Sequence, residues 1–175
     1  MNIEVRLGTY ADVDSLAKLY DELLDYLEEM INYPGWKKGV YPVKDDAMAG
    51  VEAGTLYVAT HENEIIGSMI LRHECEGPYQ TAPWRVQLSE EKVFVIHTFV
   101  VSPQYLSQGV GQKLLTYAME LARKNGVKAL RLDVYEKNEP AIRLYEKVGF
   151  QWVTKVSLGL ECYGLDWFML YEMVV

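Results

Sequence analysis

The sequence predicts a mixed α/β fold, with a twisted sheet that carries helices on both faces. Strand–helix–strand connections in the second half predict parallel pairing, and hairpin patterns in the first half predict antiparallel pairing. The segment Val93–Val101 is apolar on both of its faces, which is typical of a strand covered on both sides. At 175 residues the chain has a usual size for one domain, so we expect residues 1–175 to form a single domain.

The first half of the chain contains three strand patterns and two helix patterns. Period-2 alternation marks the strands, and apolar residues at helical spacing mark the helices. Aspartates at the predicted helix starts are typical N-cap residues. In chain order we expect a strand at Ile3–Leu7, a helix from Asp12 to about Met30, a short helix from Asp45 or Asp46 to about Gly54, and hairpin strands at Thr55–Thr60 and Glu64–His73.

The second half opens with a long irregular connection from Glu74 to Glu91, a kind of segment that is often functional when ordered. Strands and helices then alternate, and two strands close the chain. In order these are a strand at Val93–Val101, a helix from about Gly109 to Asn125, a strand at Ala129–Tyr135, a helix from Asn138 to Gly149, and strands at Phe150–Leu158 and Trp167–Met173.

Composition excludes several classes of function. A net charge of −8 disfavours binding to nucleic acid, whose phosphates attract positive surfaces. No apolar run approaches the ~20 residues of a membrane span, and no signal peptide is visible, so we expect a cytoplasmic protein. Two cysteines, Cys75 and Cys162, are expected to be reduced thiols. The pattern His73-x-Cys75 is too sparse for a metal site, so we expect no metal.

The most informative segment runs from Val101 to Leu115, from a buried strand through a loop into a helix that begins near Gly109 and Gly111. Glycines there let a ligand approach the backbone, and unpaired N–H groups at a helix start bind anions such as a diphosphate. Taken alone, the two glycines are equally typical of a tight turn. Leu114 stands where a dinucleotide fingerprint needs a third glycine, and no Gly-Lys-Ser/Thr is present.

Together with the lead-in Val101-Ser102-Pro103, this segment resembles motif A of the GNAT superfamily of N-acetyltransferases, Gln/Arg-x-x-Gly-x-Gly/Ala. Leu106 departs from the family at the first position, and Ser107 stands where a glycine is common. The segment Asn138–Phe150 is similar to motif B, Asn-x-x-Ala-x-x-x-Tyr-x-x-x-Gly-Phe. The resemblance covers about residues 93 to 152. It implies a mostly antiparallel sheet with one splayed parallel pair, and an enzyme that uses acetyl-CoA.

The same resemblance assigns cofactor binding mainly to backbone groups. The apolar strand would bind the pantetheine arm and the acetyl carbonyl, and the loop and helix start would bind the diphosphate. Asn138 would cap its helix and touch the cofactor, although a plain N-cap needs no cofactor. The cofactor-binding residues implied are Phe99, Val100, Val101, Gln108, Gly109, Val110, Gly111, Gln112 and Asn138.

For the chemistry, the resemblance implies that Tyr145 donates a proton to the departing thiolate; the alternative is a core tyrosine. The base is a separate question, because an alkylammonium near pKa 10 must lose its proton before it attacks. His97 is the only ionisable side chain on the apolar strand, and it is either that base or a hydrogen-bonded core histidine. Asp133 and Tyr135 are weaker candidates, and an amine already neutral in solution would need no base.

Loop aromatics are candidates for the acceptor pocket, because aromatic rings close over ligands and stack on cations. They are Trp36, Tyr41 and Trp84, with Tyr135 on a neighbouring strand; the alternative is that such rings pin loops to the domain. The function implied is direct transfer of acetyl from acetyl-CoA to an amine of a small molecule or a peptide. A CoA-binding sensor without turnover and a longer acyl group remain as alternatives. Many relatives dimerise, so a homodimer also stays open.

Overall fold

The computed structural model describes residues 1–175 and contains seven strands and four α-helices, each within two residues of a predicted element. Short 3-10 turns lie in the connections. The elements are β1 (Glu4–Leu7), α1 (Val13–Glu29), α2 (Lys44–Glu52), β2 (Leu56–His61), β3 (Glu64–Arg72), β4 (Val93–Val101), α3 (Val110–Lys124), β5 (Ala129–Tyr135), α4 (Glu139–Val148), β6 (Gln151–Val156) and β7 (Phe168–Val174).

The seven strands form one sheet in the order β1-β2-β3-β4-β5-β7-β6. The pairs β1–β2, β2–β3, β5–β7 and β6–β7 are antiparallel. β4 and β5 pair in parallel, with Val93 opposite Ala129 and Val95 opposite Arg131. The predicted mixed α/β fold with a mostly antiparallel sheet and one parallel pair is therefore confirmed.

The chain divides into two compact units. The first unit contains residues 1–32, 36–71 and 97–117, and the second contains residues 33–35, 72–96 and 118–175. β4 contributes Val93–Ile96 to the second unit and His97–Val101 to the first. The expectation of a single domain stays a prediction.

In the first unit, α1 buries the predicted stripe of Leu16, Leu19, Leu23 and Leu27. Met30, predicted as the last residue of that stripe, is exposed because the helix ends at Glu29. Asp12 occupies the predicted N-cap position, but its carboxylate turns away from the helix amides. It accepts hydrogen bonds from the Arg6 guanidinium and from the backbone N–H of Thr9, at 2.8 Å each. These bonds hold the pKa of Asp12 at about 2, with Arg6 the largest cause.

The start of α2 differs from the prediction, which placed Asp45 or Asp46 at the N-cap. Val43 is the N-cap, and Asp46 lies one turn into the helix at the N3 position. The Asp46 carboxylate accepts a hydrogen bond from the Val43 N–H at 2.8 Å. A side chain within the first turn therefore provides the acceptor for the N–H group of the N-cap residue. A carboxylate at N3 produces the same sequence signal as one at the N-cap, which accounts for the shift.

In the second unit, the long connection between β3 and β4 is ordered by buried polar groups. Arg131 on β5 and Glu172 on β7 form an ion pair at 2.8 Å, with side chains 4% and 0% exposed. Glu172 also accepts a hydrogen bond from the Arg85 N–H, and Arg131 donates to the Val86 carbonyl oxygen. The ion pair therefore fixes the middle of the 73–92 segment. No helix in the structure has both the length and the apolar character required to cross a membrane.

Candidate functional site

Thr98 breaks the regular backbone of β4 within the first unit. Its φ is +47°, in the left-handed region, and it is 7% exposed. A β-branched residue rarely adopts this conformation, which costs about 1–3 kcal/mol and concentrates at functional sites. Its neighbours His97 and Phe99 have partly buried side chains, and the Nε2 atom of His97 is buried. The strained residue thus lies on β4 between His97, the candidate base, and Phe99, the first of the candidate cofactor-binding residues.

Two tyrosine hydroxyls of the first unit make hydrogen bonds with hydroxyl side chains, and one of the two binds Thr98. The Tyr41 hydroxyl and Thr98 Oγ1 form a hydrogen bond at 2.6 Å. Tyr20 is 1% exposed, and its hydroxyl lies 3.5 Å from Ser68 Oγ. Burial raises the pKa of Tyr20 to about 12, and Tyr41 and Asp46 add to the increase electrostatically. Tyr20 therefore stays protonated at neutral pH and acts through a hydrogen bond.

The loop after β4 contains two residues with a left-handed backbone. Ser107 and Gly109 have φ values of +62° and +86°, and a side chain at Gly109 would meet no atom within 4 Å. α3 begins at Val110, so the N–H groups of Val110, Gly111 and Gln112 have no acceptor within the helix. Open space at Gly109 and amides at a helix start suit a diphosphate, whose charge the helix dipole favours.

Gly67 on β3 is a residue that sequence reasoning missed. A Cβ at this position would lie 2.8 Å from the carbonyl oxygen of Val100 and 3.0 Å from the Val110 side chain. Only glycine permits β3 to approach the strand and the helix that flank the loop so closely. The available signal was a lone glycine inside the otherwise apolar segment Glu64–His73, a pattern that indicates close backbone approach.

A shallow cleft of about 340 Å³ adjoins the start of α3 in the first unit. Lys113 contributes a cation there, and Gln112 contributes an amide side chain. Positive charge next to free helix amides favours an anionic ligand. The full lining consists of Met1, Asn2, Ile3, Gly109, Gln112, Lys113 and Thr116.

In the second unit, α4 carries both predicted motif residues. Asn138 is the N-cap, and its side chain accepts a hydrogen bond from the Ala141 N–H at 3.4 Å, so its capping role is confirmed. Tyr145 lies about two helical turns further along, is 6% exposed, and packs edge-on against Phe150 with ring centroids 5.8 Å apart. The helix ends at Gly149 with a φ of +116°, which favours glycine.

Tyr79 and Asp133 form a polar pair in the second unit that the sequence did not reveal. The Tyr79 hydroxyl donates to Asp133 Oδ2 at 2.7 Å. Burial raises the pKa of Asp133, and the bond from Tyr79 partly offsets that increase. Burial likewise raises the pKa of Tyr79, and the charges of Asp133, Cys75 and Tyr145 raise it further. Of the two residues, Tyr79 is the one whose pKa Tyr145 raises. Tyr79 lies in an irregular segment, where no periodicity marks a buried residue.

The four aromatic residues predicted to line an acceptor pocket are divided between the units. In the first unit, Trp36 and Tyr41 pack edge to face at 5.5 Å. In the second unit, Trp84 is 7% exposed, donates its indole N–H to the Tyr79 carbonyl oxygen and lies under the Arg131 guanidinium. These contacts make Trp84 a packing residue of the 73–92 segment, and its predicted contact with an acceptor stays a prediction.

Tyr135 is partly buried on β5, and its hydroxyl donates to the Gly164 carbonyl oxygen at 3.4 Å. The other predicted positions fall into two groups by unit. The first unit contains His97, Phe99, Val100, Val101, Gln108, Gly109, Val110, Gly111, Gln112, Trp36 and Tyr41, and the second contains Asn138, Tyr145, Trp84 and Tyr135. No group of three or more histidine, cysteine or acidic side chains is placed to hold a metal ion.

Comparison with known proteins identifies a protein family and several relatives in sequence. The family model described as "Acetyltransferase (GNAT) family" matches residues 16–150. The S-alkylcysteine N-acetyltransferase of Bacillus subtilis is 24% identical over 150 residues, which are 83% of this chain and 77% of that protein. An uncharacterized N-acetyltransferase of Methanocaldococcus jannaschii is 32% identical over 68 residues, 39% of this chain and only 30% of that protein's length.

Solved structures agree with the fold. A GNAT family acetyltransferase from Streptococcus agalactiae superposes with a TM-score of 0.80 at 19% identity, covering 99% of this chain and 95% of that one. A Salmonella typhimurium protein solved with its cofactor acetyl-CoA gives a TM-score of 0.68 at 18% identity, covering 98% and 93%. At these identities the likeness concerns the fold.

Proposed function

Because the chain belongs to the acetyltransferase (GNAT) family, we propose that it transfers acetyl from acetyl-CoA to an amine of a small molecule or a peptide by direct attack. The observation that carries the proposal is the segment from Thr98 to Gln112. It combines a strained strand residue, a left-handed loop and the unpaired amides of a helix start in one stretch of chain. Neither a tight turn nor close helix packing requires strain at Thr98 as well.

The donor would be held mainly through the backbone. The amides from Gln108 to Gln112 would bind the diphosphate, and an open approach at Gly109 supports this assignment. Backbone groups of Phe99, Val100 and Val101 would bind the pantetheine arm, and the same N–H groups would stabilise the oxyanion that develops on the acetyl carbonyl. Asn138 already caps its helix, and contact with the donor would be a second role for it.

We assign proton donation to Tyr145. A phenol with an ordinary pKa near 10 remains protonated at neutral pH and can donate to a departing thiolate, whose thiol pKa is near 8.5 by analogy with cysteine. The position of Tyr145 on α4, within a motif similar to that of the family, supports this role. Its electrostatic effect on Tyr79 is consistent with a polar environment for the phenol.

His97 is the proposed base for the acceptor's ammonium. An imidazole with an ordinary pKa near 6.5 is largely neutral at physiological pH and accepts a proton directly or through water. Its partly buried position on β4, next to the strained Thr98, supports the assignment. Asp133 is the weaker candidate, because its carboxylate already accepts a hydrogen bond from Tyr79.

The acceptor is proposed only as a class. Its amine is cationic in solution, which agrees with a chain of net charge −8. The related Bacillus subtilis protein is named for an S-alkylcysteine, a small amine, and this favours the small-molecule branch of the proposal. Trp36, Tyr41 and Tyr135 stay predicted acceptor contacts.

The direct test is thiol release. Purified protein is supplied with acetyl-CoA and a panel of S-alkylcysteines, lysine analogues, polyamines and short peptides, and free CoA is measured with a thiol reagent. We expect release above the no-acceptor rate with at least one amine, and none with the matching N-acetylated compound. Coenzyme A binding without release across the panel would favour a sensor, and no binding at all would refute both functions.

A further inference from the structure

The conformation of Thr98 needs a cause within the fold, because threonine does not adopt it readily. A φ of +47° places the side chain of a β-branched residue against its own backbone. The residue is also buried inside a strand, where an extended backbone would be expected. Such strain persists only where the surrounding structure over-determines it. A contact that holds Thr98 in this conformation must therefore exist.

Tyr41 supplies that contact. Its hydroxyl and Thr98 Oγ1 are 2.6 Å apart, a short hydrogen bond between groups 57 residues apart in the chain. Thr98 is a buried polar side chain, and leaving its hydroxyl without this bond would carry a desolvation penalty. The bond is thus strongly favoured in the folded protein and can act on the backbone of β4.

Tyr41 is itself held in place. Its backbone N–H donates to the Lys37 carbonyl oxygen at 3.1 Å, which closes a tight turn with an isolated bridge between the two residues. The Trp36 ring packs edge-on against the Tyr41 ring, and Trp36 in turn packs against the core of the first unit. A phenol anchored at both its backbone and its ring is able to impose a position on its hydrogen-bond partner.

The position of Thr98 decides the direction of the next peptide group. A left-handed residue rotates the peptide planes on either side of it away from the alternation of a regular strand. The peptide that follows Thr98 carries the N–H of Phe99, one of the groups to which the proposed function gives the acetyl carbonyl. A shift of this N–H would weaken its hydrogen bond to the oxyanion without removing the donor.

We propose that Tyr41 is a positioning residue for acyl transfer: its hydroxyl holds Thr98 in the left-handed conformation and thereby orients the Phe99 N–H toward the acetyl carbonyl. This inference rests on the proposed function. It gives Tyr41 a role in the chemical step, whereas the sequence predicted a contact with the acceptor. The two roles differ in which kinetic constant a variant changes.

The experiment compares hydroxyl deletions that keep the shape of each side chain. Tyr41→Phe and Thr98→Val each remove one partner, and Thr98→Ser keeps the hydroxyl. We expect each deletion to lower kcat roughly tenfold to a hundredfold, since misplacement of a transition-state donor acts on the chemical step. The KM for the amine and the Kd for coenzyme A should stay within twofold, and Thr98→Ser should retain most of the wild-type kcat.

The double variant Tyr41→Phe/Thr98→Val tests whether the two hydroxyls act as one unit. If they do, its kcat should match that of the single variants, because the same interaction is already absent. Tyr20→Phe is the matched control: it removes another buried tyrosine hydroxyl of the first unit that does not bond Thr98, and it should keep kcat within twofold. Circular dichroism and the Tm confirm that each variant is folded.

Several outcomes would overturn the inference. A raised amine KM with unchanged kcat in Tyr41→Phe would make Tyr41 an acceptor contact. Additive losses in the double variant, or a loss in Tyr20→Phe equal to that in Tyr41→Phe, would show general disruption. Failure here is separate from failure of the proposed function, because wild-type turnover is measured first. If the wild type shows no turnover, the proposed function and this inference are both refuted. If it shows turnover, the variants test only the role of Tyr41.

Discussion

Single residues decide the proton transfers of the proposed reaction. Tyr145 lies on the apolar face of α4 at 6% exposure, so the sequence pattern that predicts a core tyrosine also describes the residue proposed as the acid. Periodicity reports burial and does not report whether a hydroxyl faces a ligand. Only the motif around Tyr145 distinguished the two interpretations before the structure was known.

We expect Tyr145→Phe to lower kcat by about 100-fold or more, in the range for removal of a general acid, with the Kd for coenzyme A within twofold. Steady-state thiol release and calorimetry measure the two quantities. The matched control is Tyr171→Phe, which deletes a second buried tyrosine hydroxyl of the same unit, bonded to Glu146 at 2.9 Å. Equal kcat in Tyr145→Phe and wild type would remove Tyr145 from the mechanism.

Thr98 marks the limit of residue-scale prediction. Its position inside the apolar segment Val93–Val101 predicts an extended backbone, and threonine has high β propensity. The left-handed conformation arises from a partner 57 residues away in the chain, so no local pattern signals it. Gly109, by contrast, has a positive φ that its residue type makes easy.

At the level of elements, local patterns predicted each helix and strand, but not what fixes the connection between β3 and β4. Capping residues and periodicity act within a few positions, which is why the bounds agree closely. The 73–92 segment has little periodicity, and its order comes from Arg131 and Glu172, which belong to other strands. Side chains distant in sequence therefore determine the course of this connection.

We expect Glu172→Ala to destabilise the protein by about 3–5 kcal/mol, because it leaves the Arg131 guanidinium buried without its carboxylate and removes the acceptor of the Arg85 N–H. Urea unfolding gives the free energy. The control is Glu136→Ala, which breaks a more exposed ion pair with Lys155, with side chains 22% and 42% exposed, and should cost at most about 1 kcal/mol.

A Glu172→Gln variant separates charge from hydrogen bonding in the same position. The amide oxygen can still accept a hydrogen bond, so the loss of unfolding free energy should lie between the wild type and Glu172→Ala. If Glu172→Ala unfolded no more readily than the Glu136→Ala control, the buried pair would not be what stabilises the second unit and its 73–92 segment.

For the molecule as a whole, the strand order could be predicted only in part. The hairpin β2–β3 and the parallel pair β4–β5 agree with their connection types, a short turn and a helical crossover. The crossover from β5 through α4 to β6 does not produce a pair, because β7 lies between those two strands. The insertion of β7 does not follow from connection type, since residues 129–135 pair with residues 168–174 and no turn links them. Long-range antiparallel pairs leave no mark in local periodicity.

Ligand binding should be visible as stability of the whole molecule. At a coenzyme A concentration of about 100 times its Kd, binding to the native state adds roughly 2.7 kcal/mol. For a chain of this size that corresponds to a Tm increase of about 5–10 °C. We expect this shift in calorimetric scans of the wild type and its loss in Gly111→Asp, where a carboxylate would repel the diphosphate at the start of α3.

Asn125→Asp is the control for the added charge alone, because Gly111 is buried, and each shift is taken from the ligand-free Tm of the same variant. It adds the same single negative charge to an exposed position just beyond the far end of α3, and it should leave the coenzyme A shift intact. A shift that survives in Gly111→Asp would place the ligand elsewhere, and a shift lost in both variants would indicate a nonspecific charge effect.

The strain at Thr98 bears on how the protein responds to laboratory evolution. Selection for heat resistance alone should enrich glycine or asparagine at position 98, because both accept a left-handed backbone at lower cost than threonine. Such variants would resist heating but would lack the hydrogen bond between the Tyr41 hydroxyl and Thr98 Oγ1. Libraries selected without a measurement of activity should therefore accumulate substitutions at position 98 that raise the Tm and lower kcat.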